Sequence, residues 1–271
     1  MNGVRICTFL LLFPVASALC ATTRAVVVYG LPNHYEISQR GFTAFGNSSS
    51  SAGDASPARD IELTLAENLE SAGILVVPFF PGSDFTKKVA ARKFIGAWTD
   101  KPLAASSKKW LKAQLEGSGA DIAILLTTFD SGGDMNGGGQ FSGFGYHNRK
   151  GVLGIPDDGL AYAHLAVTIL SIPDLRVLAH VDRNPCWLDL SREGFNGNMD
   201  RLTTEQLEWL RRIARVAAEI HLRAALANAG LVLTRDQPEV CGTAAAAGDL
   251  MRAVYGQAPP KPSLIPGLPF D

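Results

Sequence analysis

The stretch DIAILLTTF, residues 121–129, constrains the fold more than any other part of the chain. Continuous apolar character over so short a run suits a β-strand covered on both faces. The sheet that contains it is therefore expected to be central, with helices packed over it.

Neighbouring segments supply those layers. From Arg59 to Ala72 the residues Ile61, Leu65, Ala66, Leu69 and Ala72 recur at helical spacing, and Gly73 stands where a helix would end before the strand ILVVPFF, 74–80. A second helix is expected over SSKKWLKAQLEGSG, 106–119, after a less regular segment from Phe85 to Lys101. Nearer the N-terminus, AVVVYGL (25–31) is β-branched, and HYEISQRGFTAF (34–45) alternates around Tyr35, Ile37, Phe42 and Ala44. The Pro32-Asn33 pair between them reads as a turn, so a hairpin is expected. NSSSSAGDASP (47–57) shows no periodicity and reads as a loop.

LAYAHLAVTIL (160–170) and LRVLAHVD (175–182), separated by Pro173-Asp174, predict a second hairpin. Thr203 with Gln206 forms a capping-box pattern that opens a long helix through Leu207, Leu210, Ile213, Ala217, Ile220 and Ala224, closed by Gly230. The fold class implied is α/β (α+β): a single domain with a mixed β-sheet flanked by helices and a long C-terminal helix.

The first 21 residues read as an export signal. One Arg, an apolar stretch from Cys7 to Val15 and a set of small residues suit signal peptidase. Cleavage is expected after Ala18 or Ala21, and Ala21 is preferred because it also removes Cys20. Lipidation at Cys20 is disfavoured by Leu19, which stands where lipoprotein processing usually has a small residue. That apolar stretch is far shorter than the roughly 20 residues needed to cross a bilayer, and no later segment supplies such a run, so a periplasmic or secreted mature protein is expected, with no transmembrane helix. Its Cys186 and Cys241 would then sit in an oxidising compartment and are expected to pair, constraining the unfolded chain by about 4 kcal/mol in the loop-entropy view. Residues 22–242 make the exported domain. Residues 243–271, ending QAPPKPSLIPGLPFD, read as a proline-rich tail.

Charge is nearly balanced, with 25 Lys and Arg against 26 Asp and Glu, which argues against a nucleic-acid partner. The most unusual composition lies in DSGGDMNGGGQFSGFGYHN, 130–148. It contains no GxGxxG and no Lys-Ser or Lys-Thr closing a phosphate loop. Asp130, Asp134 and Asn136 offer hard oxygens for calcium, yet the twelfth position counted from Asp134 is Gly145, where a calcium loop needs a bidentate Glu. The plain reading is a flexible strand connection. A hydrolytic alternative uses Asp130 or Asp134 with His147 as general base, beyond the end of a central strand where α/β proteins commonly place ligands. No GxSxG, HExxH or metal-spaced histidine pair accompanies it, and no cofactor or metal is called for. His164 and His180 lie in strands and read as core-edge or surface residues. His221 reads as part of a solvated face with Arg211, Arg212, Arg215 and Arg223, partnered by Glu208 and Glu219. His34 stands in the first expected hairpin and pairs with nothing in sequence.

A helix leading into GSGADIAILLTTF, a glycine-rich gap and then LAYAHLAVTILSIPDLRVLAHV resembles two groups of bacterial envelope α/β domains. These are the curli-secretion lipoprotein family and the N-terminal domain of the Tol-system propeller protein. In them a helix ends at a tripeptide like Gly119-Ala120-Asp121, and a buried strand and a hairpin follow. The resemblance covers roughly residues 60–182. GFTAFGN (41–47) is similar to segments of uncharacterised exported proteobacterial proteins. The resemblance implies an assembly or interaction protein with another envelope protein as partner, and supplies no catalytic residues to carry over. This chain departs by lacking a good lipidation site and by having the extra N-terminal hairpin and the tail. The expectation is a non-catalytic envelope binding factor; the alternative is a secreted hydrolase.

Overall fold

A computed structural model describes residues 22–40, 48–52, 55–79, 105–128, 143–149, 158–182, 186–189 and 202–232. The expected leader and tail lie outside these residues, as do Asp130, Asp134, Asn136 and Cys241.

In chain order the elements are β1 (Arg24–Gly30), β2 (Tyr35–Arg40), β3 (Ser48–Ala52), α1 (Pro57–Ser71), β4 (Leu75–Val76), α2 (Ala105–Leu115), β5 (Ile122–Thr128), β6 (Gly143–Arg149), β7 (Asp158–Ser171), β8 (Val177–Val181), β9 (Cys186–Asp189) and α3 (Thr204–Asn228). The strands form one mixed sheet in the order β3-β2-β6-β7-β5-β1-β4, with β8 and β9 also paired to β7. The class read from sequence is therefore the class observed.

The 14-residue β7 is the spine. Its first half, up to His164, pairs with β6, and its second half, from Leu165, pairs with β5. Thr128 and Gly143 thus face consecutive residues of β7, and a Cβ on Gly143 would sit 3.5 Å from Thr128 Cγ2. β6 resumes where β5 stops, so the two strands lie along nearly one line beside β7. β1 and β2 repeat the pattern: β1 runs parallel to β5 and β2 parallel to β6.

That arrangement corrects the first expected hairpin. β1 and β2 do not pair with each other, and the chain passes through Pro32-Asn33 without reversing, because each strand finds a longer ladder beside it. Proline there withholds an N–H, which interrupts the strand line without turning it back. The expected loop 47–57 also contains β3, paired antiparallel with β2 from Gln39↔Ser48 to Tyr35↔Ala52. Serine side chains give no alternation to read, while the backbone ladder is indifferent to them. The expected strand 74–80 shrinks to Leu75–Val76: after Val77 N donates to Ala25 O (2.8 Å), Pro78 has no N–H to continue. The glycine run, read as a connection, includes all but the last residue of β6. The β7–β8 hairpin and the long helix stand as expected. Gly73 and Gly230 end their helices with left-handed φ of 69° and 70°, whereas α2 stops short of 119 at Gly117, φ 80°.

Alternation along the strands sorts two cores. Ile122, Ile124 and Leu126 of β5, with Leu165, Val167 and Ile169 of β7, pack against Ile61, Leu65 and Leu69 of α1 and Ile213, Ala217 and Ile220 of α3. On the other face Val26, Val28, Ala123 and Leu125 meet Leu111 and Leu115 of α2. β5 is thus covered on both faces, as its composition demands.

Candidate functional site

β6 explains the spacing of GFGYH. Phe144 and Tyr146 point into the larger core, so Gly143, Gly145 and His147 share the opposite face. Across the parallel ladder Ser38 stands beside His147 and Glu36 beside Gly145. On the other side Tyr162 pairs with Gly145 and His164 with Gly143. The glycines make room: a Cβ on Gly145 would lie 2.7 Å from Tyr162 Oη and would collide with the Glu36 carbonyl oxygen.

One sheet face therefore gathers Glu36, Ser38, His147, Tyr162 and His164. Ser38 Oγ and His147 Nδ1 are 2.9 Å apart, a hydrogen bond whose direction depends on the imidazole tautomer. Tyr162 and His164 are fully buried, with ring centroids 5.4 Å apart. Burial holds the Tyr162 phenol well above its ordinary pKa, and the Glu36 carboxylate adds to this. Chemically, a serine hydroxyl against an imidazole is a proton-exchange pair. Of the three residues of the hydrolytic reading, His147 is placed on this face, while Asp130 and Asp134 lie outside the described residues. Sequence reasoning passed over Ser38 and Glu36, although assigning Tyr35 and Ile37 to the core already put them on the other face.

A second polar assembly joins α1 to α3. Tyr35 Oη donates to Asp60 Oδ2 at 2.8 Å, and Arg211 Nε lies 3.4 Å from Asp60 Oδ1. Arg211, Arg212 and Arg215 converge on Glu208 at 3.6–3.8 Å. Arg223 pairs with Glu219 at 2.7 Å and donates from Nε to Asn68 Oδ1 at 3.0 Å. Above this seam lies an open groove of about 950 Å³ between the helices, lined among others by Arg59, Leu63, Glu67, Arg215 and Arg223. Glu208 and Glu219 are partners of these arginines as expected, but the group is a helix–helix seam as much as a solvated face.

His221 does not belong to that face. It is fully buried, with Nδ1 2.7 Å from Ala217 O, because its position on α3 points at the sheet. His164 is likewise interior. His180 bridges β7 and β8, with Nδ1 2.9 Å from Thr168 Oγ1 and Nε2 3.0 Å from Asp182 Oδ2. His34 is exposed before β2. Cys186 opens β9 opposite Ala163, whereas its expected partner Cys241 is not described. Among the described residues no helix is long and apolar enough to cross a membrane.

No family model matches the chain, and no curated protein matches it. Several solved structures show similarity, three of which follow. Protein XCC0632 of Xanthomonas campestris, from the DUF330 family, is 10% identical with a TM-score of 0.36, over 77% of this chain and 85% of that one. Lipoprotein GNA1162 of Neisseria meningitidis is 11% identical with a TM-score of 0.31, over 74% and 98%. Hypothetical protein CT253 of Chlamydia trachomatis is 12% identical with a TM-score of 0.33, over 75% and 99%. Neither the curli-secretion family nor the Tol-system domain is among these three.

Proposed function

We propose that this chain is an exported protein of the bacterial envelope, periplasmic or secreted, that works by binding another envelope protein and not by catalysis. The leader-like N-terminus supports the compartment. The observation that carries the binding mode is the end of the sheet. Among the described residues the strand order terminates at β3, whose sequence SSSSA has no bulky, charged or proline residue. Such an edge offers main-chain N–H and C=O groups to an added strand without the guards that usually blunt it. β4, beside β1 on the same side of the sheet, is only two residues long and is a poor template, while the far side is occupied by β8 and β9 paired to β7.

The test is affinity capture from the native envelope with the mature chain, with residues 243–271 present and deleted, and with Ser49→Pro and Ser50→Pro. Alternate residues of β3 direct their N–H groups toward β2 and away from it, so one proline breaks the internal ladder and the other removes only an outward donor. The reading holds if the folded variant lacking the outward donor loses a partner that the parent captures. It fails if every folded variant retains that partner.

A secreted hydrolase is the second reading, favoured by the 2.9 Å Ser38–His147 contact and completed by Asp130 or Asp134. Covalent labelling by a fluorophosphonate probe, abolished in both Ser38→Ala and His147→Ala, would establish it. An unlabelled protein without esterase turnover ends it.

A further inference from the structure

Helix α1 turns Ile61, Leu65 and Leu69 toward the sheet, which leaves Arg59, Glu62, Leu63, Ala66, Glu67 and Glu70 exposed. Three of these, Arg59, Leu63 and Glu67, stand four residues apart and share one stripe, about 12 Å long at a rise of 1.5 Å per residue. The stripe reads cation, apolar, anion. Its centre, Leu63, is 74% exposed, the most exposed large apolar side chain among the described residues.

Most of the other charges that line the groove are already engaged, Glu62 excepted. Asp60 is taken by Tyr35 and Arg211, Arg215 by Glu208, and Glu219 by Arg223. Among the described residues neither Arg59 nor Glu67 has an ion-pair partner. The charges that line the groove from α3, Arg215, Glu219 and Arg223, each have a partner, so the groove charges without an ion pair among the described residues, Arg59, Glu62 and Glu67, all stand on α1.

A cation–apolar–anion stripe is its own complement when reversed. A two-fold axis through Leu63 places Leu63 against its copy and Arg59 of each chain against Glu67 of the other, the self-matching arrangement of an isologous interface. We propose that the occupant of this face is a second copy of the chain, with the two α1 helices antiparallel. A foreign acidic or basic helix would satisfy one end of the stripe and oppose the other. The contact is small and its ion pairs lie at the surface, so association is weak, detectable at concentrations of roughly 10 µM to 1 mM. It leaves β3, at the end of the sheet, open, so the pair would present two edges. The dimer does not depend on the edge-binding reading.

Sedimentation of the full mature chain over that range tests the proposal. The parent is expected to shift from monomer toward dimer, and Leu63→Asp to remain monomeric. Arg59→Glu and Glu67→Arg each set like charges opposite one another twice per dimer and should weaken association at least about tenfold. The double variant restores both pairs and should return to within about threefold of the parent, which also controls for any folding defect in a single variant. An equimolar mixture of the two single variants should form a mixed dimer. A parent that is monomeric throughout, a dimer indifferent to single reversals, or a folded double variant that does not recover would each overturn the proposal.

Discussion

Gly145 marks how closely one position can be determined. Its backbone angles suit any residue, but the space above it is filled by Tyr162 Oη and the Glu36 carbonyl. Gly145→Ala must displace the ladder between β2 and β6 or expel the Tyr162 ring, so a loss of about 2 kcal/mol or more is expected in urea unfolding. Tyr35 supplies a different lesson. It is fully buried and donates its one hydroxyl proton to Asp60 at 2.8 Å. Tyr35→Phe keeps the packing and leaves a largely buried carboxylate short of a donor, which should cost about 1–3 kcal/mol by the same measurement. Neither requirement is written near the residue in sequence, since Asp60 is 25 positions from Tyr35 and Tyr162 belongs to another strand. Leu175 is similar: buried and held at φ 49°, it carries the left-handed conformation in the β7–β8 turn that Pro173-Asp174 announces.

At the level of elements, what could be read was what is local. Thr203 and Gln206 form both halves of the capping box, with Gln206 N donating to Thr203 Oγ1 at 3.2 Å and Thr203 N to Gln206 Oε1 at 2.8 Å. Thr203→Ala removes the acceptor of Gln206 N and leaves that donor to water, which should lower stability by about 1 kcal/mol, visible as a drop in the thermal midpoint with unchanged helical signal away from the transition. The helices and the β7–β8 hairpin were legible because their signals lie within a few residues of one another. β3 was not, because four serines carry no period. β9 was not, because the four residues Cys186–Asp189 are too few to alternate.

Across the whole molecule, burial of phenols couples stability to alkaline pH. Burial first, and then the Glu62 carboxylate, push Tyr29 up to about 12. Tyr35 is also raised, by burial and then Asp60, as is Tyr162, by burial and then Glu36. A tyrosine in the unfolded chain ionises near 10. The folded state therefore keeps protons that the unfolded state releases, and the stability that goes with them is complete below about pH 10 and lost as pH rises through the folded values. The thermal midpoint should fall steadily above about pH 10, and Tyr29→Phe should make that fall shallower up to about pH 12; an unchanged slope would contradict the assignment.

The amino-acid sequence by itself determined the class of fold and the helices, because amphipathic period, caps and a doubly buried strand are written within single segments. Tertiary structure alone decided which strands meet: Pro32-Asn33 reads as a reversal until β5 and β6 are seen beside it. The same holds for the polar face of Glu36, Ser38, His147 and Tyr162. A ladder pairs residues that are distant in the chain, and the energy that selects its register comes from burial on both faces of the assembled sheet, which no local window contains.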